Sequence, residues 1–463
     1  MIEPFDSKEA LDSSNFISDS IKTKQNTILK LILILLIPII LSLIIIGIII
    51  IIISNLEFEK NKIEIECEYE IYYEDKGEIY LLSKKFEKVS TISIYIENKL
   101  IPYKIKHNFP SGSKYNVKFI INKSLNLENM FNNVKNLKSI KISTPDKGSF
   151  DSSLSKAFLN CENLKTFSSS INPGNVIDMS YMFCNCTNLL SVDFGNIGNS
   201  TKNFSHMFEN CKKLNSINLN NSYIINAEDM SYMFYKCKNL NIKNLLVNID
   251  TSNVKNMSYM FSNCNSLKVL NLVNFNTNSV INMSNMFSYS SSLLSLNLNN
   301  FNTSLVIDMN NMFRNCSSLT ELNLSNFDTS FVTNMSNMFG YCINLKSLNL
   351  DNFNTGLVKD MSHMFDNCKN ITNINLLNFE SSLVKNMSYM FSNCKFQKLD
   401  ISSFKISKVE DMSFMFFNCT NLTQLVKNNS FIPNNNTNIN GMFAKCNNSL
   451  KIPEWCTDKC KSL

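Results

Sequence analysis

Eleven cysteines recur along this chain, and a thiol can bind a metal, form a disulfide or stay buried. Each lies 25 to 27 residues after the last, once Ser290 is counted as a member of the series. A metal site needs ligands in closely spaced pairs, which this spacing does not provide. The eleven are Cys161, Cys186, Cys211, Cys237, Cys264, Cys316, Cys342, Cys368, Cys394, Cys419 and Cys446.

Two interpretations of this cysteine series remain. The thiols can be small buried side chains that pack between neighbouring units, which is the favoured interpretation because stacked side chains point in parallel. Alternatively, some adjacent cysteines form disulfides, since stacked Cα atoms lie roughly 5 Å apart and an extracellular address is oxidising. Near the C-terminus, Cys446, Cys456 and Cys460 are a possible disulfide set, because Pro453 to Trp455 indicate a compact terminal cap. The sequence does not fix the pairing.

Few residues here indicate catalysis. The three histidines, His107, His206 and His363, have no acid or nucleophile motif around them, and no glycine-rich phosphate loop is present. His206 and His363 occupy a variable position that predicts an exposed helix residue. The net charge of +6 is spread along the chain, which does not favour a nucleic-acid partner. We therefore expect no enzyme activity, no cofactor and no bound metal.

A second recurring set is polar and gives the candidate recognition surface. Its members, Asn271, Asn297, Asn323, Asn349 and Asn375, alternate with apolar residues, so they point outward from a strand. They either bind a ligand or form an amide ladder that satisfies itself between units, and the ladder is favoured. Frequent Asn-x-Ser sequons, such as Asn334-Met335-Ser336, are compatible with glycosylation of a secreted region.

These residues belong to a repeat marked by a Met-Phe dipeptide, which recurs from Met182-Phe183 to Met442-Phe443. Met130-Phe131 and the degenerate Ala157-Phe158 extend the series to thirteen units. In the clearest unit, Leu322 and Leu324 alternate with polar residues and predict a strand. Its Met335, Met338, Phe339 and Cys342 follow the spacing of one helix face, and Asn334 or Thr333 can cap that helix. The predicted buried core is Met338, Phe339, Cys342, Met364, Phe365 and Cys368.

No single unit can bury both of its apolar faces, so neighbouring units must stack. The predicted fold is an α/β solenoid over 123–448, a leucine-rich-repeat-like stack of strand and short-helix units with a parallel sheet on one face. Because helices are thicker than the strand spacing, the sheet is expected on the concave side. Residues 449–463 are expected to form a C-terminal cap.

The pattern from Leu319 to Cys342, repeated from Leu345 to Cys368, resembles the BspA-like leucine-rich-repeat surface proteins. Their units read L-x-x-L-x-L-x-x-F-x-T-S-x-V-x-x-M-S-x-M-F-x-x-C, and the resemblance covers about residues 124–448. It implies a cell-surface solenoid used in adhesion or protein recognition. The first two units lack the Met-Ser element and the last follows an irregular Asn-rich stretch, 434–440, so these units resemble caps.

The N-terminal part has a different organisation. Residues 1–30 are polar and predict a disordered tail, and 31–53 are uncharged and long enough for a transmembrane helix. Residues 54–122 contain runs that alternate with a period of two and predict a small β domain, which could also cap the first repeat. Three lysines before the span and two after it place the N-terminus in the cytoplasm and the repeats outside, at the plasma membrane.

The sequence thus predicts a type II membrane-anchored cell-surface protein. Its extracellular solenoid would bind an extracellular protein or a glycan, whose identity one sequence does not reveal. The alternatives are a passive surface-coat or spacer protein, and an intracellular scaffold with the anchor reversed.

Overall fold

The computed structural model divides the chain into two compact units, 1–61 and 62–463. It describes residues 8–60, 62–75, 77–86, 92–110, 112–122, 126–143, 153–170, 174–195, 199–219, 224–240, 249–456 and 458–462. The first seven residues of the predicted tail lie outside the described residues. The two units are taken in turn below.

The first unit is one long helix, α1, Lys8–Lys60. Its stretch Thr23–Ser54 is the only described helix long and apolar enough to cross a membrane, a test that a signal sequence also passes. The helix begins well before Leu31, so residues 8–30 are helical where a disordered tail was predicted. The physical reason is that extending an existing helix costs far less than nucleating one.

In its described residues, the second unit opens with six strands, β1 to β6, over the predicted β domain. β1 is flanked by β6 on one side and by the first repeat strand, β7, on the other, both antiparallel. One eight-stranded sheet therefore continues from this domain into the repeats, in the order β10-β9-β8-β7-β1-β6-β3-β4. The bounds are β1 Lys62–Glu70, β2 Glu78–Tyr80, β3 Ile92–Ile96, β4 Lys99–Ile101, β5 Lys106–Asn108, β6 Lys114–Asn122 and β7 Leu137–Ser143.

The repeats form a solenoid in which short strands of neighbouring units pair in parallel, within the described residues first as a run of four strands and then as three separate pairs. The predicted alternation is present: Leu322 and Leu324 are buried while Asn323 between them is exposed. The remaining elements are β8 Thr166–Ser169, β9 Ser191–Asp193, β10 Ser216–Asn218, β11 Val269–Asn271, β12 Ser295–Asn297, β13 Glu321–Leu322, β14 Ser347–Leu348, β15 Lys398–Asp400, β16 Gln424–Val426 and the terminal helix α2 Asp458–Lys461.

The predicted solenoid is confirmed, but the segment predicted as a short helix is a series of turns. Two residues per unit, Asn337 and Tyr341 in the clearest one, have φ values of 56° and 63°, in the left-handed region. This alternation directs the amides of every second residue toward the next unit, as in the bonds from Asn337 N to Ser362 O and from Tyr341 N to Asp366 O, 2.8 and 2.7 Å. An α-helix would keep those bonds within the segment.

The spacing between units explains why turns replace the helix. The Met-Phe phenylalanines stack ring on ring from Phe131 to Phe443, with centroids 5.2–6.1 Å apart and interplanar angles of 1–12°. A helix with its side chains is about 10–12 Å across. Units this close leave no room for a helix opposite the sheet. The expectation of a concave sheet rested on thicker helices on that side, so its basis is absent. We call this segment the turn block.

At both ends of the stack, backbone groups from outside the repeats make the hydrogen bonds that a further unit would make. At the start, Ser83 N donates to Met130 O at 2.8 Å, the bond that a preceding phenylalanine would make. At the end, Gly441 N and Phe443 N donate to Lys459 O and Cys460 O of α2, both at 2.8 Å. Buried amides and carbonyls need partners. The β domain and residues 449–462 supply them.

Candidate recognition surface

The cysteine series forms a hydrogen-bond ladder inside the stack. Cys342 Sγ donates to Phe313 O of the preceding unit at 3.1 Å, and each of the other ten cysteines of the series makes the equivalent bond at 3.0–3.1 Å. Ser290, the exception in the sequence, makes the same bond to Phe261 O at 2.7 Å. The position therefore requires a small side chain that can donate a hydrogen bond.

All fifteen cysteines are free thiols in the structure. Burial raises the pKa of the Cys342 thiol to about 12, although a hydrogen bond from the Cys316 backbone lowers it. Among the terminal cysteines, Cys446 belongs to the ladder and bonds to Phe416 O at 3.0 Å. Cys456 and Cys460 are hydrogen-bonded to each other, so these two are the adjacent pair of the three.

The predicted asparagine row lies on the outer sheet face, where Asn271, Asn323, Asn349 and Asn375 are exposed and Asn297 is half-buried. Each carbonyl accepts a hydrogen bond from the backbone N–H two residues later, for example Asp351 N to Asn349 Oδ1 at 2.9 Å. This Asx turn ends the strand and explains the residue type at that position.

The side-chain amides of this row seldom bond to one another. Asn297 Nδ2 donates to Asn271 Oδ1 at 3.2 Å, which is the only bond of the predicted ladder among the described members. Asn323 and Asn375 instead donate to Asn299 and Asp351, at 3.3 and 2.8 Å. The row is therefore built mainly from turns within each unit.

The sheet face carries a groove of about 850 Å³ that crosses four units and includes three of the predicted asparagines. Its floor is apolar and repetitive, formed by Leu296, Leu322, Leu348 and Ile374. The outward positions change from unit to unit. The residues preceding the floor are Ser295, Glu321, Ser347 and Asn373, with Thr320, Lys346 and Asp351 beside them. We call these variable positions the groove lining.

A family model describes most of this chain. It matches in six overlapping segments that together run from residue 125 to 455, and its description reads "Mycoplasma protein of unknown function, DUF285". The chain belongs to this family. Its matched region is the solenoid, so the repeats of DUF285 are the units described above.

Solved structures that resemble this chain superpose on it only poorly. One is the crystal structure of the TLR13–ssRNA13 complex, 14% identical with a TM-score of 0.24, covering 71% of this chain and 52% of that one. Another is the Toll–Spätzle complex of Drosophila, 14% identical with a TM-score of 0.16, covering 58% and 48%. The DUF285 chain thus spans about half the length of these structures. No curated protein matches it.

A row of stacked aromatic rings on the turn block was not predicted. His206 lies between Tyr181 and Tyr232, with ring centroids 4.2 and 4.4 Å away, and Tyr259 continues the row at 4.3 Å. His206 Nδ1 is 2.6 Å from Glu209 Oε2. The predicted exposed histidine is therefore half-buried. The signal in the sequence was the recurrence of rings just before Met-Phe in consecutive units.

His363 has a similar environment. Its ring stacks on Tyr389 at 4.6 Å, and its Nδ1 is 3.0 Å from Asp366 Oδ2. The third histidine, His107, packs edge-on against Phe109 at 4.6 Å in the β domain. In the parts of the chain that the structure describes, no group of three His, Cys, Asp or Glu residues could hold a metal ion.

The sequon asparagines have a structural role of their own. Asn334 Oδ1 accepts hydrogen bonds from Ser336 N and Ser336 Oγ, at 3.0 and 2.8 Å. Asp308 and Asp360 occupy the equivalent place in the flanking units, and their backbones form isolated parallel β-bridges with Asn334. Since Asp serves as well as Asn here, the Asx turn alone accounts for these Asn-Met-Ser sequences.

Proposed function

We propose that this protein is a non-enzymatic surface receptor whose groove lining binds an extracellular protein or glycan. The observation that carries the proposal is the contrast within the groove. The floor repeats the same apolar positions, whereas Ser295, Glu321, Ser347 and Asn373 differ in adjacent units. Packing alone does not require these exposed residues, so they are free to serve recognition.

Residue chemistry at the groove indicates the class of ligand. Glu321, Lys346 and Asp351 are exposed charges of both signs beside serine, threonine and asparagine side chains. Such a surface offers donors and acceptors with little aromatic area, which fits a polar ligand bound with modest affinity. A polar stretch of protein or an acidic or hydroxyl-rich glycan has the matching chemistry.

Display at the cell surface is part of the proposal. The apolar stretch of α1 would serve as a retained anchor, with the N-terminus in the cytoplasm because more lysines precede the stretch than follow it. The resemblance of the repeats to BspA-like surface proteins supports the same location and an adhesive role.

Binding by the groove lining can be tested with the full chain in lipid nanodiscs, probed on a glycan array and on immobilised extracellular-matrix proteins. The double variant Glu321→Lys, Lys346→Glu should lower binding about tenfold, because it reverses both charges without touching the floor. The matched control is Lys369→Glu, an exposed charge reversal just after the turn block. Equal binding by the wild type and the double variant would reject the groove as the site.

Orientation needs a separate experiment. Epitope tags at both termini, followed by protease treatment of intact cells, should remove the C-terminal tag and leave the N-terminal one. Protection of the C-terminal tag would overturn surface display and favour an intracellular scaffold. Retained binding to whole cells after the groove substitutions would favour the passive spacer.

A further inference from the structure

An apolar ridge lies away from the groove, between the bend of each unit and its turn block. Phe331 is 57% exposed, and four neighbours in adjacent units are each 42–49% exposed. Those neighbours are Ile281, Leu305, Ile307 and Leu357. Five large side chains this exposed form a patch of a few hundred Å², the size at which exposed apolar surface marks an interaction site.

The ridge is continuous because its backbone is hydrogen-bonded from unit to unit. Ile281 N donates to Lys255 O, Ile307 N to Ile281 O and Thr333 N to Ile307 O, each at 2.8–2.9 Å. Leu305 and Ile307 flank the fully buried Val306, and both side chains are exposed. Leu305, Phe331 and Leu357 are equivalent residues of three successive units.

Charged residues extend the same hydrogen-bonded row beyond the apolar part at both ends. In order along the stack, the row reads Ile177, Lys202, Glu228, Lys255, Ile281, Ile307, Thr333, Lys359, Lys385 and Glu410. Glu228 forms ion pairs of 2.8 Å with Lys202 and Lys255, and Lys385 forms one of 2.8 Å with Glu410. An apolar centre with a charged rim is the usual anatomy of a protein interface.

The order of these charges selects the partner. A second copy laid parallel, unit on equivalent unit, would place every charge against itself. A copy laid antiparallel about a twofold axis at Ile307 places Glu228 against Lys385 and Lys202 against Glu410, and each contact occurs twice. Only Lys255 and Lys359 then meet as like charges. Moving the axis by half a unit in either direction leaves fewer unlike contacts than this.

We propose that the ridge binds a second copy of this chain in an antiparallel, twofold-symmetric dimer centred on Ile307. The dimer itself does not depend on ligand binding by the groove.

The dimer can be tested with the purified full chain in detergent, by sedimentation over a range of concentrations. Phe331→Asp should weaken self-association about tenfold or more, because it places a charge in the apolar centre. The matched control is Leu377→Asp, where an equally exposed leucine, 58%, lies outside the ridge. Self-association through the anchor helix would not involve Phe331, so Phe331→Asp would leave that association unchanged.

Cross-linking tests the geometry. Ile307→Cys lies on the proposed axis, so mild oxidation should convert it to a disulfide-linked dimer. Ile281→Cys faces Thr333 of the other copy and should not cross-link. The wild-type thiols are almost all buried and serve as the background.

Charge reversal tests the alignment. Glu228→Lys and Lys385→Glu should each weaken the dimer, and the double variant should regain part of the affinity because the unlike contact is restored. A monomeric wild type would overturn the proposal. So would a dimer that Phe331→Asp does not weaken and that Ile307→Cys does not cross-link. Either result would leave the groove experiment to decide the proposed function on its own.

Discussion

At the scale of single residues, the cysteine ladder shows how one hydrogen bond can set a residue type in every unit. The phenylalanine carbonyl accepts one bond within its own unit, as from Cys316 N to Phe313 O at 3.1 Å, and a second from the cysteine of the next unit. A buried carbonyl oxygen gains from two donors, and Ser290 shows that a hydroxyl meets the need. The requirement is for a donor of small volume, and no redox chemistry is needed to explain it.

This requirement predicts the order of stability of two variants. Cys342→Ser retains a donor to Phe313 O and should change the free energy of unfolding by less than about 1 kcal/mol. Cys342→Ala removes the donor and leaves a small void, and should cost about 1–2 kcal/mol. Hydrogen exchange of the amides in the unit containing Cys342 measures both. Equal exchange in the two variants would show that the bond contributes nothing.

At the scale of elements, the sequence specifies the strands and the buried face well but misleads about the turn block. Leu322, Leu324 and Phe339 were assigned to the core from spacing alone, and all three are buried. The spacing of Met335, Met338, Phe339 and Cys342 fits a helix, yet turns with alternating hand bury the same positions. The apolar periodicity indicates which side chains are buried, but it does not indicate which carbonyls accept the backbone N–H hydrogen bonds.

A signal for the turn block was nevertheless present in the sequence. The residue before the ladder cysteine is asparagine in most units, and the residue before Met-Phe is asparagine in four units and Gly441 in the last. Asparagine and glycine are the residues that most readily adopt positive φ. The Asx turns of the sheet face were missed for a related reason, since the same asparagines also fit an outward-facing recognition row.

The left-handed backbone conformation of Asn337 predicts that a glycine variant is more stable than an alanine variant there. Its φ is 56°, and its Oδ1 is buried without a hydrogen-bond partner. Asn337→Gly should be neutral or slightly stabilising, whereas Asn337→Ala should cost about 1 kcal/mol, because a Cβ strains the left-handed conformation. Thermal unfolding of the two variants measures the difference. In a helix the order would be the reverse, with alanine favoured over glycine by about 1 kcal/mol.

At the scale of the whole molecule, stability is shared between neighbours along the stack. Each unit contacts the next through its turn block and its phenylalanine ring, and several units also pair through their strands, so an unpaired end is the weakest point of the array. The β domain and residues 449–462 cover the two ends with hydrogen-bond partners of the correct spacing. A solenoid that presents a groove on one face and a ridge on another depends on these ends to stay ordered.

Removal of residues 449–463 should therefore loosen the array from one end only. Gly441 N and Phe443 N would lose Lys459 O and Cys460 O, and the last ring of the stack would be exposed to water. Amide exchange should rise within the last one or two units, up to about residue 412, and stay unchanged near Phe339, because coupling in a repeat array acts between nearest neighbours. A matched control is removal of residues 1–22, which belong to the other compact unit and should leave exchange in the repeats unaltered. Increased exchange throughout the array after removal of the cap would instead mean that the stack unfolds as a single cooperative body, and local models of its stability would have to be abandoned.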